Sequence, residues 1–132
     1  MMAAAAMGAV AFQKGLGAIH AVSHPVGALY NTHHGTTNAV VMPMVLEMNR
    51  PAIEDRLDQA AAYLGLAGYR GIYDRVLELR EMLAIPASLG AMGVGADRID
   101  QMVAMALEDP SAGGNPVEMT AENTRALFEA CL

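Results

Sequence analysis

Apolar residues recur along this chain at spacings of three and four, the period of a helix with one buried face. Ile53, Leu57, Ala60, Ala61 and Leu64 form one such stripe, and Ile72, Val76, Leu79 and Leu83 form the next. A third runs through Ile99, Val103, Ala106 and Leu107. Each stripe is expected to face a shared core. Start and stop residues bracket them. Asn49 stands two residues before Pro51, with Glu54 and Asp55 after it, and is expected to cap the first of these helices. Gly65 and Gly68 end that run, Pro86 ends the next, and Asp97 is expected to cap the third, which Asp109-Pro110 closes. A loop from Ser111 to Pro116 leads to Thr120, the expected cap of a last helix through Leu127.

The N-terminal third has a different texture. Met2 to Gln13 reads as a helix with almost no polar face, ending near the Gly15-Leu16-Gly17 break. Ala18 to Leu29 is a second helical run, followed by a turn at Asn31-Thr32. Gly35 to Met48 resumes as an apolar helix, kinked or shifted at Pro43. Val40-Val41 resembles a short buried strand, but its apolar run continues too long for one. The expected fold class is therefore all-α, a multi-helix bundle forming one domain over residues 1–132. A chain of this length buries about two-thirds of its unfolded surface, so a core forms without disulfides. Eleven methionines, abundant alanine and the absence of Trp strengthen the helical reading.

Charge changes this picture in one respect. The net charge is −6, yet Lys14 is the only charged residue before Glu47. A helix on the surface of a free-standing protein needs a polar face, and Met1 to Phe12 lacks one. That segment is expected to be a buried centre or, in the preferred reading, to be covered by something outside this chain. The eight Lys and Arg residues form no basic stripe, which excludes nucleic acid as a partner. Residues 15–46 are uncharged and longer than the ~20 residues that span a bilayer. They also carry four His, three Thr, two Asn and a Ser, which argues against membrane insertion. Met1 to Phe12 has no positive n-region and does not read as a signal peptide. Cys131, the single cysteine, can form no internal disulfide, which fits a cytoplasmic location.

The candidate chemistry is concentrated in the same uncharged segment. His20, His24, His33 and His34 all fall within fifteen residues. His20 and His24, four apart, place their rings on one helical face. The turn at Asn31-Thr32 could return His34 toward them. Neutral imidazoles suit Zn, Fe, Cu or Ni. His20, His34 and His24 together supply two or three nitrogens, against the three or more protein ligands usual at a catalytic metal; a site of histidines alone is possible, but a carboxylate from elsewhere is attractive. Ala21 follows the first histidine where a zinc peptidase requires Glu. No nucleophile elbow or phosphate-binding glycine loop is present, and Cys131 has no nucleophilic setting.

The order of residues adds to their spacing. The run Lys14-Gly15-Leu16-Gly17-Ala18-Ile19-His20-Ala21-Val22-Ser23-His24-Pro25-Val26-Gly27-Ala28, with His33-His34-Gly35 and Asn38-Ala39 after it, closely resembles the signature of the iron-dependent (group III) alcohol dehydrogenase family. Asn49-Arg50, Leu83-Ala84-Ile85-Pro86, Asp109-Pro110 and Gly114-Asn115-Pro116 extend the likeness over essentially the whole chain. The resemblance is to the C-terminal helical domain only, with the N-terminal α/β nucleotide-binding domain absent. It implies that His20 and His34 are two metal ligands, the remaining Asp and His lying upstream in the family. It implies that His24 stands beside the metal as the catalytic residue facing substrate and nicotinamide. His33 falls at a variable position and is left out.

What the resemblance implies about function is hydride transfer between a small alcohol or aldehyde and NAD(P), with Fe(II), or alternatively Zn(II), polarising the substrate oxygen. The partner is the missing N-terminal domain, and the chain alone is expected to be inactive. Val117 stands where many relatives have Arg, which removes that loop from any carry-over. The competing readings are a non-catalytic helical module forming a homo-oligomer, with a vestigial histidine cluster, and a small autonomous metalloprotein.

Overall fold

Six α-helices and three single turns of 3₁₀ helix make up the computed structural model, which describes residues 1–132 and contains no β-strand. The helices are α1 (Met2–Phe12), α2 (Ala18–Tyr30), α3 (His34–Leu64), α4 (Gly68–Met82), α5 (Ile99–Glu108) and α6 (Ala121–Cys131). The core lies between α2, α3, α5 and α6. Ala18, Val22 and Val26 meet Val40, Val41 and Val45 there, closed over by Met102, Val103, Ala106, Leu127 and Phe128. Leu89 and Val94, from the connection between α4 and α5, fill the remaining space. Full burial of each valine, leucine, methionine or phenylalanine among them contributes about 1.5–3 kcal/mol before chain entropy is counted.

Several ends form as the local chemistry dictates. Asn31 terminates α2 in the left-handed conformation, at φ 53°. Gly65 does the same for α3, where Leu66 N–H donates to the Ala61 carbonyl, so the orphan carbonyls of the last turn are satisfied. Thr120 caps α6 in a reciprocal box with Asn123. That helix runs on to Cys131, beyond the expected Leu127.

Three expectations are overturned. Asn49 caps nothing: α3 passes through Pro43, Asn49 and Pro51 as one helix of 31 residues. Each proline removes a backbone hydrogen bond and disfavours a helix interior by about 3 kcal/mol. Packing of α3 against α2, α4 and α6 offsets this, and the Asn49 side chain is turned inward to bond Asn115. Asp97 is not the cap of α5 either. It sits in the 3₁₀ turn Ala96–Arg98, where its carboxylate accepts from the Tyr30 hydroxyl.

The α4 stripe is the third. Tyr69 and Tyr73 are the buried residues of that helix, whereas Leu79 and Leu83 are exposed. With Ala39, Met42, Val76 and Ile85 they line an open apolar groove. Helix α4 is thus rotated toward α3 by its tyrosines. The N-terminal helix α1 buries none of its residues; Met2, Met7, Val10 and Phe12 all face solvent. It is not a buried centre of this chain.

Candidate functional site

Histidines 20, 24 and 34 meet at one end of the α2–α3 pair. His20 and His24 project from the same face of α2, with ring centroids 5.8 Å apart. The left-handed turn at Asn31 reverses the chain, and His34 opens α3 beside them. Its ring lies 5.2 Å from His20 and stacks on His24 at 5.3 Å, with 16° between planes. His33 points elsewhere. Its Nδ1 accepts from the Thr36 amide as the N-cap of α3, so it has a structural task outside the cluster.

The ring nitrogens have defined partners. Asn38, one turn after His34, puts its amide nitrogen 3.1 Å from His34 Nε2 and 3.4 Å from His20 Nε2. Both Nε2 atoms therefore face the same small volume. Ser23 Oγ donates to the His20 carbonyl and lies 3.5 Å from His34 Nδ1. The Asn38 amide N–H groups face both Nε2 atoms, and an Nε2 that accepts from them carries its ring proton on Nδ1, which in His34 is the nitrogen turned toward Ser23 Oγ. Asn38 Oδ1 is buried beside them without a partner.

Asp109 joins the cluster from the end of α5. Its Oδ2 lies 2.7 Å from His24 Nδ1, and its Oδ1 accepts from the Ser111 amide at 2.8 Å. Burial opposes the charged carboxylate, but the bonds from His24 and Ser111 outweigh it and hold its pKa below the ordinary value. Burial, then the neighbouring imidazoles of His34 and His24, push the pKa of His20 down, which disfavours its charged form. The face is open: His24 is 41% exposed at its side chain, and no group of three His, Cys, Asp or Glu side chains is close enough to hold a metal ion unaided.

A second set of contacts fixes the frame. Asn115 Oδ1 accepts from the Ala18 amide at the start of α2 and from Asn49 Nδ2, while its own Nδ2 donates to Asn49 Oδ1 and the Val117 carbonyl. Beside it, Gly114 passes so close to Leu16 that a Cβ would stand 2.1 Å from the Leu16 carbonyl oxygen. Only glycine fits. The loop that carries Asp109 is thereby tied to the helix that carries His20 and His24. A cleft of about 320 Å³ opens between them, lined in part by Leu16, Ile19, His20, Asn49 and Pro116.

Sequence reasoning brought His20, His24 and His34 together and set His33 aside. Ser23, Asn38, Asn49 and Asp109 entered only as parts of the family signature, or as a cap and a helix end, with no role assigned to them at the site. Asn38 was within reach, since it follows His34 by four residues and must share its face.

The family model for the C-terminal region of Fe-containing alcohol dehydrogenases matches residues 1–132. The chain belongs to the iron-containing alcohol dehydrogenase family. Among curated members of this family, it is 40% identical to a 4-hydroxybutyrate dehydrogenase of Cupriavidus necator, over 98% of this chain and 36% of that protein. It is 32% identical to the lactaldehyde reductase of Escherichia coli K12, over 86% and 32% of the two chains. In structure it is similar to a 1,3-propanediol oxidoreductase, at a TM-score of 0.83 and 28% identity over 89% of this chain and 33% of that one. It is likewise similar to an iron-containing alcohol dehydrogenase from Thermococcus thioreducens, at 0.78 and 31% over 88% and 32%. The chain thus spans about a third of the length of these alcohol and aldehyde oxidoreductases and corresponds to their C-terminal helical domain. No helix in it is long and apolar enough to cross a membrane.

Proposed function

We propose that this chain is a single helical, metal-binding domain, residues 1–132, serving a cytoplasmic oxidoreductase that transfers hydride between a small alcohol or aldehyde and NAD(P). His20 and His34 hold a divalent metal, Fe(II) or Zn(II), through their Nε2 atoms. The observation that carries this reading is the convergence of those two nitrogens on one point, which the Asn38 amide group now faces. The donor set fits such an ion in kind: two imidazoles whose Nε2 atoms converge, and a buried unpaired acceptor, Asn38 Oδ1, beside them. It falls short in number, and the remaining ligands come from a nucleotide-binding partner domain.

A bound divalent ion supplies a Lewis acid for the substrate oxygen. The chain's own residues do the rest of the work assigned to this half. His24 faces the open side of the cluster, where its Nε2 receives the substrate hydroxyl. The α2–α3 frame, with Asp109 bonded to His24, holds the three rings in fixed mutual positions, so little reorganisation accompanies substrate binding. The names of the relatives, a 4-hydroxybutyrate dehydrogenase and a lactaldehyde reductase among them, support a short oxygenated substrate.

Titration of the metal-free chain with Co(II), followed by visible absorption, tests this beside a His20→Ala/His34→Ala variant. The expected outcome is a band that saturates in the parent and is lost in the variant, with no hydride transfer by the chain alone. A band of equal strength in both overturns the assignment; no band in either means that the partner domain's ligands are indispensable or that the cluster is structural.

The exposed apolar face of α1 favours a second reading, a non-catalytic module that pairs chains into a homo-oligomer. Tight dimers on size-exclusion chromatography, formed equally with and without metal and with no Co(II) uptake, would support it instead.

A further inference from the structure

Asp109 is the one acidic side chain bonded to the histidine cluster, and its two oxygens have separate tasks. Oδ1 accepts from the Ser111 amide and shapes the turn after α5. Oδ2 lies 2.7 Å from Nδ1 of His24, 85 residues away in sequence. A carboxylate is an acceptor with no proton to give, so the short contact requires the hydrogen to be on His24 Nδ1. In the neutral ring that leaves the Nε2 lone pair of His24 bare. The other groups against this ring, His20 and His34, present ring faces and edges at 5.8 and 5.3 Å between centroids and do not compete for Nδ1.

From this geometry we infer that Asp109 is a positioning residue that sets the tautomer and rotamer of His24, so that Nε2 is held ready to accept a hydrogen bond from the substrate hydroxyl. This deepens the proposed function and rests on its placement of His24 at the substrate. The physical need is plain. A free neutral imidazole prefers its proton on Nε2, the arrangement that would turn a donor toward the substrate and leave the hydroxyl proton without an acceptor. A side chain exposed as much as His24 also samples several rotamers unless something holds it. The Asp109 loop is itself anchored, through Asn115 and the Gly114–Leu16 approach, to the first turn of α2. Carboxylate and imidazole therefore belong to one rigid unit.

Asparagine at this position separates the two tasks. In Asp109→Asn the side-chain oxygen must remain on the Ser111 amide, because the alternative sets two donors against each other. The amide nitrogen then faces His24 Nδ1 and requires it to be an acceptor. An aspartate-to-asparagine change that preserves geometry while imposing the wrong histidine tautomer has precedent in the serine-protease triad.

The test uses nitrogen NMR of the full chain, labelled at histidine and recorded where the rings are neutral, without metal. In the parent, His24 Nδ1 should resonate in the protonated range and Nε2 in the unprotonated range. In Asp109→Asn the two ranges should exchange, while a dispersed amide spectrum reports an intact fold. An Nε2-protonated His24 in the parent, or no exchange in the folded variant, overturns the inference. If Asp109→Asn does not fold, the parent spectrum alone decides. Since no metal is present, this result stands apart from the Co(II) outcome for His20 and His34.

Discussion

Asn49 and Asn115 exchange two side-chain hydrogen bonds, of 2.9 and 2.7 Å, across 66 residues of sequence. The pair joins the middle of α3 to the loop before α6, and Asn115 also receives the amide of Ala18 at the head of α2. Three separate elements of the histidine site are thus held by one residue.

Asn115→Ala should accordingly be damaging. It strips partners from Ala18 N–H, the Val117 carbonyl and the buried Asn49 amide, and each unsatisfied buried group costs about 1–3 kcal/mol. Denaturant titration should show a loss of at least that size, and Co(II) affinity should fall with it as α2 loosens. An unchanged midpoint would mean that the Asn pair is ornamental.

Two phenylalanines should behave in opposite ways. Phe128 is fully buried in the core, on a helix packed against α3 and α5, and truncation of such a side chain costs about 3–5 kcal/mol. Phe12 is 58% exposed on a helix that buries nothing. Phe128→Ala should lower the melting temperature sharply, and Phe12→Ala should leave it almost unmoved. A large effect of Phe12→Ala would reveal that α1 is covered in solution, by another copy of the chain.

Alkaline pH should destabilise the fold in two stages. Burial pushes the Cys131 thiol from 9.0 up to about 12, and burial, with the nearby Glu47 carboxylate, takes the Tyr69 hydroxyl from 10.0 up to about 12. Both groups prefer to stay neutral in the folded chain, so the unfolded chain gives up these protons first. Their contribution is complete below pH 9 and is lost as the pH rises toward 12. Melting temperature should decline from about pH 9, and Cys131→Ala should postpone the onset toward pH 10, where Tyr69 begins to titrate. Thiol alkylation should be slow until denaturant is added. Rapid alkylation of the folded chain would contradict the burial of Cys131.

Local chemistry made much of this legible in advance. Thr120, Gly65 and Asn31 act where they were expected, because a cap or a left-handed turn depends on a few neighbouring residues. The pairing of His20 with His24 needed only the helical repeat. Asn49 misled for an instructive reason. Its neighbours, Pro51, Glu54 and Asp55, compose a good helix start, but a residue 66 positions away offered its side chain two better-placed partners. The α4 stripe misled similarly, since periodicity identifies an apolar face and not which helix will cover it.

The order of residues alone made the protein helical, left a single charge in its first 46 residues and set three histidines in one neighbourhood. Those properties follow from short-range rules: backbone propensity, the 3.6-residue repeat and the cost of burying charge. Which nitrogen of each ring faces the site is settled by long-range packing instead. That choice depends on Ser23, Asn38 and Asp109, whose placement needs α2, α3 and the end of α5 packed together. A hydrogen bond acts over about 3 Å, and the contact from Asp109 to His24 spans 85 residues, so nothing short of the folded chain could bring it into being.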